Sequence, residues 1–195
     1  YYPAPTRSNV DVVTEAIQEI TPRGVRTRDG VEHAVDAIVF GTGFQAAEAM
    51  SPFSVSGRNG KDLNEAWSEG PEAYLGSSVA GFPSMYMIVG PNTGLGHSSM
   101  IFMIESQAQY VLSAIQELRQ LRDSGAKFLD LKPEVQAKFN RALQKQMART
   151  VWSTGGCVSW YQTASGKNTT LWPGFTFRFR QLTRKLRPED YEKVS

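Results

Sequence analysis

Met85-Tyr86-Met87-Ile88-Val89-Gly90-Pro91-Asn92-Thr93-Gly94-Leu95-Gly96-His97-Ser98-Ser99 is the stretch on which the reading of the chain turns. Its first five residues are continuously apolar, as a strand buried on both faces requires. Glycines and a proline then break the chain sharply. After Ser99, Ile101, Ile104, Ala108, Val111, Ile115 and Leu118 recur at steps of three and four, which predicts an amphipathic helix covered on that face. Ser98 or Ser99 supplies a cap, and Gly125 a stop. Strand, glycine loop and helix start, in that order, gather free N–H groups and a positive helix end where an anion or a polarised carbonyl can sit. The same stretch also meets the plainer description of a capped β–α connection.

Working outward, Val35-Asp36-Ala37-Ile38-Val39-Phe40 predicts a second buried strand and runs into Gly41-Thr42-Gly43-Phe44-Gln45-Ala46, a match to GxGxxG/A. The rest of a dinucleotide fingerprint does not follow. Ser51-Pro52 interrupts the helix, and the position about 20 residues on falls in a loop rather than at an acidic strand end. A tight glycine turn near a cofactor or a neighbouring domain fits better, with a purely structural turn as the alternative. Residues 10–13 and 17–20 predict short strands. Residues 25–28 and 31–34 predict a hairpin closed by Asp29-Gly30. Residues 63–67 predict a short helix. Pro133-Glu134 opens a further helix with the stripe Val135, Phe139, Leu143 and Met147. From 151 to 179, Trp152, Trp160, Tyr161, Trp172, Phe175, Phe177 and Phe179 among glycines predict a long aromatic loop with short strands. Arg178, Arg180, Arg184, Lys185 and Arg187 form a basic tail whose ordinary reading is a solvated face.

Composition removes several classes. With 41% hydrophobic and 21% charged residues among 195, the chain is an ordinary globular mixture and not a disordered or fibrous one. Lys plus Arg is 21 and Asp plus Glu is 19, so the net charge of +2 gives no reason to expect nucleic acid. One Cys (Cys157) and two His (His33, His97) exclude a disulfide framework, and a three-ligand zinc site would use every one of them, so no metal is expected. No apolar stretch is long enough to span a bilayer. The N-terminus lacks a basic head followed by an apolar run, and a reducing, cytoplasmic setting is the expectation. Because the chain opens at Tyr1 without Met, an upstream segment is left open. His97 has no evident partner, and Ser98 and Ser99 beside it cannot form a base–nucleophile pair. Cys157 reads as a small buried residue. Asn168-Thr169-Thr170 fits a glycosylation sequon, though nothing marks secretion.

Taken in order, these motifs resemble the C-terminal part of a class B flavin-dependent monooxygenase, the group of the Baeyer–Villiger and flavin-containing monooxygenases. The residues that carry the resemblance are Tyr1-Tyr2-Pro3-Ala4, Arg7-Ser8-Asn9-Val10, the run from Val35 to Phe44, Gly81-Phe82-Pro83, the loop from Gly90 to Ser98, Ser159-Trp160-Tyr161, and Asn168-Thr169-Thr170-Leu171-Trp172-Pro173-Gly174-Phe175. Gly41 stands where that family usually has alanine. The two GxGxxG motifs, the signature Phe-x-Gly-x-x-x-His and the active-site arginine are not in this sequence, so the resemblance implies a fragment, inactive alone and without catalytic residues of its own.

The implied fold is α/β, a partial two-dinucleotide-binding-domain (Rossmann-like) flavoprotein with a small β-meander and a C-terminal helical and aromatic loop cap. Residues 1–40 would end the NADP-binding domain and form the meander. Residues 41–125 would be the returning part of the FAD-binding domain, and 126–195 the cap. The implied cofactors are FAD and NADPH, and the implied partners a small organic substrate and O2. Gly41, Thr42, Gly43 and Phe44 would lie near NADP. Gly90, Pro91, Asn92, Thr93, Gly94, Leu95, Gly96, His97 and Ser98 would border the flavin's pyrimidine edge, and Trp160 would fold over NADP. The implied reaction inserts one oxygen atom from O2 next to a carbonyl or onto nitrogen or sulfur. A flavoprotein reductase without oxygen transfer and a non-catalytic binding module are the alternatives.

Overall fold

The computed structural model describes residues 2–43, 53–121, 125–156 and 160–194. Phe44, Cys157 and Ser159 lie outside the described residues. Two compact units divide at Gly43 and Phe44.

The first unit is a three-stranded antiparallel meander of β1 (Ile17–Thr21), β2 (Gly24–Thr27) and β3 (Glu32–Ala34). Asp29-Gly30 closes the second turn as the sequence predicts, with Gly30 at φ 87°. Asp29 accepts from the Thr27 hydroxyl at 2.6 Å, and that bond holds its carboxyl below the usual range. Glu32 accepts from the Thr21 hydroxyl at 2.7 Å and from Arg23 at 2.5 Å, and its carboxyl is likewise lowered, first by Thr21. The predicted strand at 10–13 does not form. Nor does the one at 35–40, where Val39 is 94% exposed and Phe40 70%. A strand apolar on both faces needs a neighbour on each side; the Val35 N–H reaches the Arg23 carbonyl at 3.1 Å, but among the described residues no strand pairs with the rest of the segment.

The second unit is built around α2 (Met100–Leu121), where the Phe102 N–H points at the Ser99 hydroxyl over a long 3.4 Å. α1 (Leu63–Ala66) precedes it, capped by Asp62, which accepts from the N–H groups of Asn64 and Glu65. The predicted helix is present, but its inner face is not the predicted one. Met103, Ser106, Gln107, Tyr110, Ser113 and Ala114 are buried, while Ile101 and Ile115 are 63% and 47% exposed. The Ser106 hydroxyl on the inner face meets Arg180 of α5 (Thr176–Thr183), and of the stripe that periodicity selects Leu118 packs against the core while Ile101, Ala108 and Ile115 are exposed.

β4 (Phe128–Leu131) pairs antiparallel with β5 (Tyr191–Val194), and α3 (Pro133–Met147) packs its predicted stripe inward. α4 (Val151–Thr154) and α5 occupy the region predicted as loop with short strands; there the sheet content is reduced to isolated bridges. Residues 85–89 are not a strand either. Val89 sits at φ 60°, a left-handed conformation that ends extended backbone. Met103 and Phe179 are fully buried with Leu143 and Trp172, and such burial stabilises by roughly 1.5–3 kcal/mol per large apolar side chain. The buried Asp130 accepts from Arg58 and from the Gly81 N–H, both at 2.9 Å, tying two turns to β4.

A second core holds a hydroxyl network. Tyr110 and Tyr191 bond at 2.5 Å, Ser78 bonds Tyr191 at 2.8 Å, and Tyr74 donates to Asp190 at 2.7 Å. Burial raises Tyr74, Tyr86 and Tyr110 well above the ordinary 10.0, and Tyr191 is pushed up to about 12. An acid whose folded pKa exceeds its unfolded value binds more protons when folded. Its contribution is therefore full below pH 10 and is lost as the pH rises through the folded value. We expect alkaline unfolding of this unit in which these tyrosines ionise together with loss of helical signal. Ultraviolet titration followed beside circular dichroism checks it; smooth ionisation near pH 10 with the fold intact would contradict it.

Candidate functional site

The loop from Gly90 to Ser98 begins where three segments meet around one amide. Gln107 of α2 is fully buried and donates through Nε2 to the Gly76 carbonyl at 2.9 Å and the Ser77 hydroxyl at 3.0 Å. Its Oε1 accepts from the Val89 N–H at 2.9 Å. Leu75, Val89 and Asn92 all take positive φ, at 52°, 60° and 56°. For Val89, a β-branched residue, this is a costly conformation of the kind that persists only where the surroundings over-determine it.

From there the loop runs beside residues 168–172. The N–H groups of Asn92 and Gly94 donate to the carbonyls of Thr169 and Thr170, each at 2.8 Å, and the Trp172 N–H donates back to Gly94 at 2.8 Å. Gly94 and Leu171 form a parallel bridge. The Asn92 amide donates to the carbonyls of Asn168 at 2.8 Å and Leu171 at 3.0 Å. Thr93 is fully buried and its hydroxyl donates to the Gly90 carbonyl at 2.6 Å. Hence two of the N–H groups that the sequence offers to a ligand are turned onto the chain's own carbonyls. The glycines have the same explanation. A Cβ on Gly94 would stand 2.8 Å from the Thr170 carbonyl oxygen, and one on Gly96 would stand 2.7 Å from the Trp152 ring.

The second half of the loop differs. Leu95 packs against the Met103 core, while Gly96, His97, Ser98 and Ser99 are exposed immediately before the first turn of α2. One turn into that helix, the Arg180 guanidinium lies 3.5 Å from the centroid of the Phe102 ring, bonds the Ser106 hydroxyl at 3.1 Å and pairs with Glu105 at 2.8 Å. Beneath the first half, a cleft of about 340 Å³ is lined by Trp67, Met87, Val89, Pro91 and Thr170 among others.

Trp160 is 49% exposed and stacks on Tyr161 with ring centroids 4.5 Å apart. Tyr161 meets Trp152 edge-on at 5.4 Å, so a run of three rings ends over Gly96. Gly41, Thr42 and Gly43 are exposed at the end of the first unit, and a Cβ on Gly41 or Gly43 would meet nothing within 4 Å. Asn168 is 1% exposed, which rules out the sequon as a sugar attachment point in this fold. Sequence reasoning noticed its motif but not its role: Oδ1 accepts from the Leu171 N–H at 3.0 Å and makes a weaker contact with the Thr170 N–H at 3.2 Å, which folds the segment against the loop. Among the described residues, no group of His, Cys, Asp and Glu could hold a metal ion, and no helix is long and apolar enough to cross a membrane.

Comparison with known proteins covers nearly the whole chain. It is 50% identical over 192 residues to a Baeyer–Villiger monooxygenase of Pseudomonas aeruginosa, covering 98% of this chain and 36% of that one. It is 46% identical, again over 98% of its length, to a Baeyer–Villiger monooxygenase of Streptomyces coelicolor. A FAD-binding monooxygenase of Aspergillus niger, ktnD, is 38% identical over the same share. Among solved structures, cyclohexanone monooxygenase from Rhodococcus sp. Phi1 bound to NADP+ matches with a TM-score of 0.73 at 26% identity, covering 100% of this chain and 38% of that one. The closed form of a cyclohexanone monooxygenase matches with a TM-score of 0.70 at 28% identity. The chain thus spans a little over a third of the length of these curated relatives. No protein-family model matches it.

The close approach at Gly94 gives a test that needs no cofactor. Gly94→Ala is expected to lower the unfolding free energy by about 1–3 kcal/mol through overpacking against Thr170. Denaturant unfolding of the cofactor-free protein measures it, and an unchanged midpoint would show that the loop does not lie against residues 168–172.

Proposed function

Because the chain is related over nearly all of its length to Baeyer–Villiger and FAD-binding monooxygenases, we propose that it forms the C-terminal portion of an NADPH- and FAD-dependent monooxygenase. That enzyme inserts one oxygen atom from O2 into a carbonyl compound or transfers it to nitrogen or sulfur. The similarity at 50% identity across 98% of the chain is the observation that carries this reading. When bound, the flavin would supply the chemistry of O2 activation, with NADPH as the electron source.

The residues of the chain fit that role. Gly96 to Ser99 are exposed directly before the start of the 22-residue α2, so the positive helix end coincides with an open loop surface. A helix end of this kind favours negative charge by about 0.3–1 kcal/mol, and by more where it is partly buried. Reduced flavin carries its charge at the pyrimidine edge. Trp152 and Leu95 limit where the loop can stand, and Trp160, half-exposed at the far end of the ring stack, is free to cover a nicotinamide nucleotide. Gly41 to Gly43 are exposed, and among the described residues a Cβ on Gly41 or Gly43 would meet nothing within 4 Å, which suits an approach by a cofactor or another domain.

The exposed apolar surfaces support a larger body. The exposed apolar residues of α2, Ile101 and Ile115 among them, and Ile38, Val39 and Phe40 are surfaces that a flavin domain would cover.

The full-length protein is expected to hold one FAD per chain and to consume NADPH and O2. It should yield an ester or lactone from a ketone, or a sulfoxide from a thioether. Absence of bound FAD would overturn the reading, and NADPH oxidation without oxygenated product would favour a reductase. Trp160→Ala is expected to raise the KM for NADPH or the share of NADPH consumed without product, while leaving FAD content unchanged. Wild-type values for both would remove Trp160 from the nucleotide site.

A further inference from the structure

We infer that Asn92 and Asn168 are positioning residues for the flavin loop, so that residues 168–172 fix where residues 95–98 stand. The inference rests on the proposed placement of that loop at the flavin.

The geometry is unusually determined. Asn92 Nδ2 faces two carbonyls, Asn168 and Leu171, so the amide cannot be turned over without setting oxygen against oxygen. Asn168 Oδ1 faces two N–H groups, Thr170 and Leu171, so it cannot be turned over either. Both residues are buried, at 3% and 1% exposed, so these four bonds are made away from water and clamp the loop and residues 168–172 in one arrangement.

The clamp also reaches the other half of the proposed site. Asn168 forms an antiparallel bridge with Gln162, one residue beyond Tyr161, which stacks on Trp160. Gln162 donates to the Trp152 carbonyl at 3.1 Å, and the Trp152 ring lies over Gly96. Trp152 and residues 168–172 therefore hold the loop at two points, Gly96 and Asn92, and Gln162 links them next to the Trp160–Tyr161 stack. Gln144 of α3 adds a third hold, donating to the Asn168 carbonyl at 2.9 Å.

The test uses the FAD-loaded full-length protein. Asn92→Gly keeps a backbone that accepts positive φ and removes the two amide bonds to the Asn168 and Leu171 carbonyls; Asn168→Ala keeps its own carbonyl but removes the Oδ1 acceptor that folds residues 170 and 171 against the loop. Both are expected to alter the visible flavin bands and to lower kcat about 10- to 100-fold, with the KM for NADPH nearly unchanged, as misplacement of a reacting group does. The double variant is expected to lose less than the product of the two single losses, because the Asn92 amide bonds carbonyls of the turn that the Asn168 side chain shapes. If the two variants do not fold, Gln144→Leu provides a graded version, with the same spectral change in smaller measure. Wild-type bands and kcat in a folded, FAD-loaded variant would overturn the inference while leaving the monooxygenase reading intact. A full-length protein that binds no FAD would overturn both.

Discussion

A peptide N–H or amide removed from water needs an acceptor, and the Asn92 amide finds one 76 residues further along the chain. The rest of the site follows from that bond and its neighbours. Asn92 and Gly94 spend their backbone donors on Thr169 and Thr170, Trp172 returns a bond to Gly94, and the glycine loop becomes one side of a short parallel ladder. With its first half held this way, the loop has only residues 95–99 left to present outward, directly before α2. Gln107 does the same work on the inner side, binding residues 75–77 and Val89 to the helix that follows the loop.

Much of this was legible in the sequence, and the failures have physical causes. The Asp29-Gly30 turn, the start of α3 at Pro133 and the existence of α2 were readable because each rests on local rules. The inner face of α2 was misread because the helix is apolar on one side and small or amide-bearing on the other, and periodicity weighs only the apolar side. Gln107 and Tyr110 are buried through hydrogen bonds to distant residues, which no local pattern encodes. β4 and β5 pair across some 60 residues with no turn between them and bury Asp130 in their middle, so neither alternation nor a turn signal marks them. Residues 35–40 and 85–89 carry the composition of buried strands, but composition does not supply a partner.

The glycine loop teaches a related point. Gly94 and Gly96 lie in the loop that the resemblance sets against the flavin. Both are also places where the chain approaches itself, Gly94 against Thr170 and Gly96 against the Trp152 ring. The glycines of the loop therefore have a packing reason of their own, whatever ligand the loop meets. Asn168, which the sequence marks as a sequon and as part of the family resemblance, is the residue on the other side of that packing.

A crystal structure of the FAD-loaded full-length protein tests the account most directly. The account predicts that the Gly94 N–H remains on the Thr170 carbonyl and the Asn92 amide on Asn168 and Leu171, with the flavin's pyrimidine edge against residues 95–98. A flavin that meets the Gly94 N–H, with residues 168–172 displaced from the loop, would contradict it.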